Sequence, residues 1–164
     1  VREVVEQSAG KDDVDGAVSD RQVTEDAVSV AASFVYTIDT QECLLDLVFV
    51  AGEPECHTAG RGEGSNAHLL EVLAGVQPSN QDAFARLARE LLAMRGTLSS
   101  AILVLLAWDA PRRELLAALQ ASGLAVRVLL ICAPGQNPEQ SSEPDASLGV
   151  LHPGRIEAGL AALA

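Results

Sequence analysis

Ala101-Ile102-Leu103-Val104-Leu105-Leu106-Ala107-Trp108, followed at once by Asp109-Ala110-Pro111, is the stretch whose reading decides the fold. The apolar run is too short and too uniform for a strand exposed on one face, so it reads as a strand buried on both. Asp109 is a good N-cap, and Pro111 suits the first turn of a helix, where its missing N–H costs nothing. The helix that follows carries Leu115, Leu116 and Leu119 on one face, has Arg112, Arg113 and Glu114 near its start, and stops at Gly123. The chain then returns through Ala125-Val126-Arg127-Val128-Leu129-Leu130-Ile131-Cys132. Strand, helix and strand make a βαβ crossover, which demands a parallel sheet covered by helices on both faces. Ligands of such sheets bind beyond the carboxyl ends of the strands, here near Asp109 and Cys132.

The same alternation extends in both directions. Val1 to Glu6 is a weak strand pattern, and the acidic, glycine-bearing stretch from Ser8 to Gly16 reads as a loop. Thr24 reads as an N-cap for a helix from Glu25 to about Ile38, whose apolar residues recur at helical spacing. Cys43 to Val50 is a strand, and Glu55 to Ala59 is expected to pair with it antiparallel, as a sheet edge. Helices are expected from Ser65 or Asn66 to about Gly75, and from about Gln81 to Arg95. Beyond the crossover lie a polar, proline-bearing loop over 134–148, a short strand at Val150 to His152 and a terminal helix from about Pro153 to Leu163. The expected architecture is a single doubly wound α/β domain, mostly parallel, with helices on both faces and one antiparallel edge strand.

With 164 residues, 48% of them hydrophobic, the chain is long enough for one full core. Its formal charge of −12, from 23 acidic and 11 basic residues, argues against nucleic acid and anionic membrane surfaces as direct partners. Cys43, Cys56 and Cys132 are an odd number, which argues against a disulfide framework and for a reducing, cytoplasmic setting. No apolar run approaches the roughly 20 residues that cross a bilayer. The opening on Val1 points to a piece of a longer protein, and an upstream membrane anchor is compatible with that.

Few residues carry a chemical signal. The Gly60-Arg61-Gly62-Glu63-Gly64 loop enters a helix but has neither the spacing of a dinucleotide fingerprint nor the lysine of a phosphate loop, so it reads as a turn. Cys56 and His57 are neighbours on a strand and point to opposite faces, which prevents them from closing on one zinc ion. His68 and His152 read as surface or capping groups. Cys132 sits at the ligand-binding edge, yet a free cysteine is a common core residue and no histidine partner is legible. Asp109 has two readings, a helix cap or a ligand contact at the strand end, and Trp108 beside it packs on a helix or faces a partner.

The segments Glu25 to Phe34, Leu44 to Val50, His57-Thr58-Ala59-Gly60-Arg61-Gly62, His68 to Ala74 and Leu103 to Asp109, in that order, resemble the C-terminal part of bacterial proteins of the domain of unknown function 58 family. The resemblance covers about residues 24–133. It implies a von Willebrand factor A-like domain, in proteins that often carry upstream transmembrane helices and are encoded beside MoxR-type AAA+ ATPases. Such domains commonly bind through a metal-ion-dependent adhesion site, built from Asp-x-Ser-x-Ser, a threonine and a further aspartate, because Mg²⁺ takes hard oxygens in octahedral array. Here Glu6-Gln7-Ser8-Ala9-Gly10 keeps only Ser8 in type, Thr58 is the candidate threonine and Asp109 matches the last position. The implied site is degenerate, holding Mg²⁺ weakly at most, with no other cofactor.

The leading expectation is therefore a non-enzymatic protein-interaction domain whose binding edge includes Trp108, Asp109 and Arg61, with a MoxR-type AAA+ ATPase as the implied partner. A competing reading is a small α/β enzyme with its site near Asp109 and Cys132, which requires those groups to converge in one pocket. A third is a scaffold for homodimerisation through a strand edge or helix face.

Overall fold

A computed structural model describes residues 2–5, 20–38, 45–51, 53–59, 65–76, 83–132 and 147–163. In chain order the elements are β1 (Arg2–Val5), α1 (Asp20–Ile38), β2 (Leu45–Ala51), β3 (Glu53–Ala59), α2 (Ser65–Gly75) and α3 (Ala83–Met94). A 3₁₀ turn (Arg95–Thr97) leads into β4 (Ser100–Leu105), α4 (Ala110–Ala121), β5 (Ala125–Ile131), β6 (Leu148–Leu151) and α5 (Ile156–Leu163).

The strands form one six-stranded sheet in the order β3-β2-β1-β4-β5-β6. Every neighbouring pair is parallel except β2 and β3, which run antiparallel with Leu47 opposite His57. This is the doubly wound α/β sheet with one antiparallel edge strand that the sequence leads one to expect. Its winding reverses between β1 and β4, so the crevice that such sheets offer to ligands opens beyond Val5 and Leu105.

The two faces of the sheet hold separate cores, as a doubly covered parallel sheet must. On one face Leu103, Leu105, Val128 and Leu130 meet Leu87 and Leu91 of α3 and Leu115, Leu116 and Leu119 of α4. On the other, Val104, Leu129 and Ile131 meet Ala27, Val30 and Ala31 of α1 and Leu69 and Leu73 of α2, with Ile156 and Leu160 of α5 packed beside them. Alternation along β4 sends successive side chains to opposite cores, which explains why the run is apolar throughout.

The βαβ crossover closes by the expected devices. Asp109 caps α4 in an extended conformation, with Pro111 in the first turn. Gly123 ends it at φ +83°, where Gly123 N–H donates to Gln120 O and Leu124 N–H to Leu119 O. That pair of bonds is a Schellman closure, and Leu119 and Leu124 supply its customary apolar contact in the same core.

Three local expectations are corrected. Thr24 is not the N-cap of α1, for the helix begins at Asp20 and Thr24 lies inside it, buried. The added turn is supported by an Arg21–Glu25 ion pair of 2.9 Å and a Gln22–Asp26 hydrogen bond of 3.1 Å, both at helical spacing, while Val23 packs on the core. β4 stops at Leu105, where its ladder with β5 ends, so Leu106 to Trp108 belong to the connection rather than the strand. β6 spans Leu148–Leu151, so it starts earlier than Val150, and His152 lies past its end. Despite its charges, β1 is central, parallel to β2 on one side and β4 on the other. The loops expected over 8–16 and 60–64, residues 134–146 of the one expected over 134–148, and Cys43 lie outside the described residues, while Leu148 belongs to β6 rather than to that loop.

Gly123→Ala is expected to destabilise the fold by about 1–2 kcal/mol, because an L side chain is strained at that positive φ. Leu119→Ala, fully buried in the wild type, should cost about 2–5 kcal/mol. Urea unfolding of both variants against the parent chain measures each difference.

Candidate functional site

Asp109 stands where the fold puts a ligand, beyond the carboxyl end of β4 and beside the reversal of winding. Its two carboxylate oxygens are both engaged by Arg112. Oδ1 accepts the Arg112 backbone N–H at 3.2 Å, as an N-cap does, and Oδ2 accepts from Nη1 of the Arg112 guanidinium. The Asp109 side chain is about half exposed, at 47%, whereas that of Arg112 is only 7% exposed.

Arg112 is the feature that sequence reading missed. It was expected among the charged residues at the start of α4, yet it is buried, with its guanidinium carbon 4.5 Å from the centre of the Phe84 ring. Phe84 comes from the start of α3, so a cation–π contact ties the first turns of two neighbouring helices at the binding edge. Burial lowers the Arg112 pKa, but a guanidinium starts so high that it stays charged at neutral pH. Only the phase of Arg112 in the leucine pattern, at i−3 from Leu115 and i−4 from Leu116, carried a hint of its inward direction.

Of the other expected site residues that are described, only Trp108 is close. Trp108 is adjacent, partly buried against the α3–α4 core, and its carbonyl accepts a long 3.5 Å contact from Arg113. Thr58 donates to Asp46 Oδ1 at 2.6 Å and pairs across β3 and β2 with Asp46, which stands beside Arg2 and, through it, Ala101. Those are the amino ends of the parallel strands, whereas Asp109 follows the carboxyl end of β4. Three strand spacings of about 4.8 Å add some 14 Å of sideways separation. Thr58 therefore does not join Asp109. Ser8 and Arg61 lie outside the described residues.

Cys132 lies just past β5, on the α3–α4 face, buried, and burial raises the pKa of its thiol. That is the opposite of what a nucleophile needs. His152 approaches this residue at its backbone carbonyl oxygen, 3.4 Å from Nδ1. The other two histidines are elsewhere: His57 on β3 hydrogen-bonds Glu55 and lies against His68 of α2. Cys56 is exposed on β3.

Three outcomes follow from this geometry. Asp109→Ala should cost about 0.5–2 kcal/mol through the lost cap, and a double-mutant cycle with Arg112→Met should return a coupling of about 0.5–3 kcal/mol. Iodoacetamide should label Cys56 faster than Cys132 in the folded chain, as read by peptide mass mapping, with the difference abolished in denaturant.

A scan against protein-family models and a search of curated proteins both find no match. Among solved structures, one similar chain is an aerotolerance-related membrane protein from Bacteroides fragilis NCTC 9343, in a form with multiple mutations to serines. It is 10% identical, the alignment covers 88% of this chain and 76% of that one, and the TM-score is 0.49. No helix among the described residues is long and apolar enough to cross a membrane. The chain's own strand order makes it a doubly wound α/β sheet with an antiparallel edge strand.

Proposed function

We propose that this chain is a protein-interaction domain of the von Willebrand factor A-like type that binds its partner without a bridging metal and without catalysis. The observation that supports this most is the Asp109–Arg112 pair. In a metal-dependent adhesion site the corresponding aspartate helps to surround Mg²⁺, which needs about six oxygens. Here a guanidinium already neutralises it. A divalent ion placed about 4–5 Å from that guanidinium meets a repulsion on the order of several kcal/mol at the effective dielectric of a protein surface. Thr58, at the other end of the sheet, does not join Asp109.

What the edge offers instead is a contact surface. Trp108 and Arg113, beside the pinned Asp109, are of the residue types that anchor protein interfaces. The resemblance to the domain of unknown function 58 family supplies the partner in this reading, a MoxR-type AAA+ ATPase, and makes the chain part of a larger bacterial protein. The enzyme reading draws less support, since the buried Cys132 thiol is shifted away from reactivity and His152 meets its carbonyl.

Co-purification of the full-length protein with its neighbouring AAA+ ATPase tests the proposal. The complex should form equally in Mg²⁺-free buffer with chelator, apart from the ATPase's own nucleotide requirement, and Trp108→Ala with Arg113→Ala should weaken it by at least about tenfold, the 1.4 kcal/mol expected from interface anchors. Absence of a complex at physiological salt overturns the partner. A complex formed only with Mg²⁺ and lost in Asp109→Asn overturns the metal-independent binding.

A further inference from the structure

The sheet edge farthest from β6 carries a second constellation of side chains, unrelated to Asp109. Glu55 and His57 are two apart on β3 and so share one face of the strand. His57 Nε2 lies 3.1 Å from Glu55 Oε2. The His57 ring stacks on buried Phe49, with centroids 5.8 Å apart and planes at 10°, and the His68 ring of α2 meets it edge-on at 5.7 Å and 66°.

Each of these contacts prepares an imidazole for the same task. A carboxylate accepts and cannot donate, so the proton of the Glu55 bond sits on His57 Nε2, which leaves Nδ1 as the nitrogen with a free lone pair. A carboxylate holding one ring nitrogen while the other binds an ion is the outer-shell arrangement that orients metal-ligating histidines. Phe49 fixes the plane of the ring. The second imidazole is already at hand: two rings that bind one ion through nitrogens at about 2.0–2.1 Å have centroids roughly 5–6 Å apart at tetrahedral or wider angles. Among the described residues no three His, Cys, Asp or Glu side chains stand assembled around an ion position, and two imidazoles completed by water need no third.

We propose that His57 and His68 form a surface site for a divalent transition ion that favours imidazole, such as Ni²⁺, Cu²⁺ or Zn²⁺, with Glu55 as the orienting outer carboxylate. The ion ties the edge strand β3 to α2. The site differs in chemistry and place from an adhesion site, for it uses nitrogen donors from β3 and α2, and β3 lies three strands away from β4, the strand that leads to Asp109.

Titration calorimetry of the tag-free full chain with Ni²⁺, in a Cys43→Ser and Cys56→Ser background that removes competing thiols, tests this. One ion is expected to bind per chain and to raise the melting temperature. Binding should be lost in His57→Ala and in His68→Ala, and kept in His152→Ala. Glu55→Gln should weaken it by about 10–100-fold. No binding by the background chain overturns the proposal, as does binding that survives either His57→Ala or His68→Ala. An unchanged affinity in Glu55→Gln removes the carboxylate from the site. Circular dichroism of each variant confirms the fold, and all three side chains are partly or fully exposed, so their removal leaves both cores intact.

Discussion

Two parallel strands cannot be joined by a tight turn, and that constraint organises this molecule. β4 and β5 lie side by side, so the chain between them must travel back over the sheet, and it does so as α4. Because β4 and β5 bury both faces, one helical layer is not enough. The α3–α4 layer covers Leu103 and Leu105, and α1 and α2 cover Val104 and Ile131. The ends of the crossover then fix where chemistry can occur. Asp109 begins α4 at the carboxyl end of β4, and Gly123 turns the chain back to the amino end of β5.

The start of that helix carries a local electrostatic solution. Burying a guanidinium is costly unless its charge is met, and Arg112 meets Asp109 on one side and the face of Phe84 on another. The arrangement joins α3 to α4 at the edge that ligands of this fold approach. It also converts an aspartate into part of the helix cap. A sheet of this kind can thus keep an acidic residue at its ligand-binding edge while directing that charge inward, to its own chain.

Much of the architecture was legible because it was written locally. The capped helix after Trp108, the Gly123 stop and the uniformly apolar runs of β4 and β5 are short-range signals, and their joint occurrence left a covered parallel sheet as the consistent outcome. The antiparallel edge at Glu55 to Ala59 was legible from its place directly after the strand at Cys43 to Val50, although β3 starts earlier, at Glu53. Three other facts were not. Thr24 looks like a cap until the pairs Arg21–Glu25 and Gln22–Asp26 extend the helix past it. Arg112 looks like a solvated charge beside Arg113 until Phe84, from the preceding helix, is placed under it. Thr58 stands within a family-like order of segments, yet antiparallel pairing of β3 carries it to the amino ends of the parallel strands. Contacts made across the fold decided the last two, whereas the start of α1 rests on local i,i+4 pairs.

The central claim is that Arg112, not a metal ion, satisfies Asp109. Anomalous diffraction from crystals of this chain grown in Mn²⁺ tests it most directly, since Mn²⁺ replaces Mg²⁺ at oxygen sites and is visible by its own scattering. The account predicts no manganese peak at Asp109, with the Arg112 guanidinium on its carboxylate and Phe84 beneath. A manganese ion coordinated by Asp109, with Arg112 swung away, would contradict it.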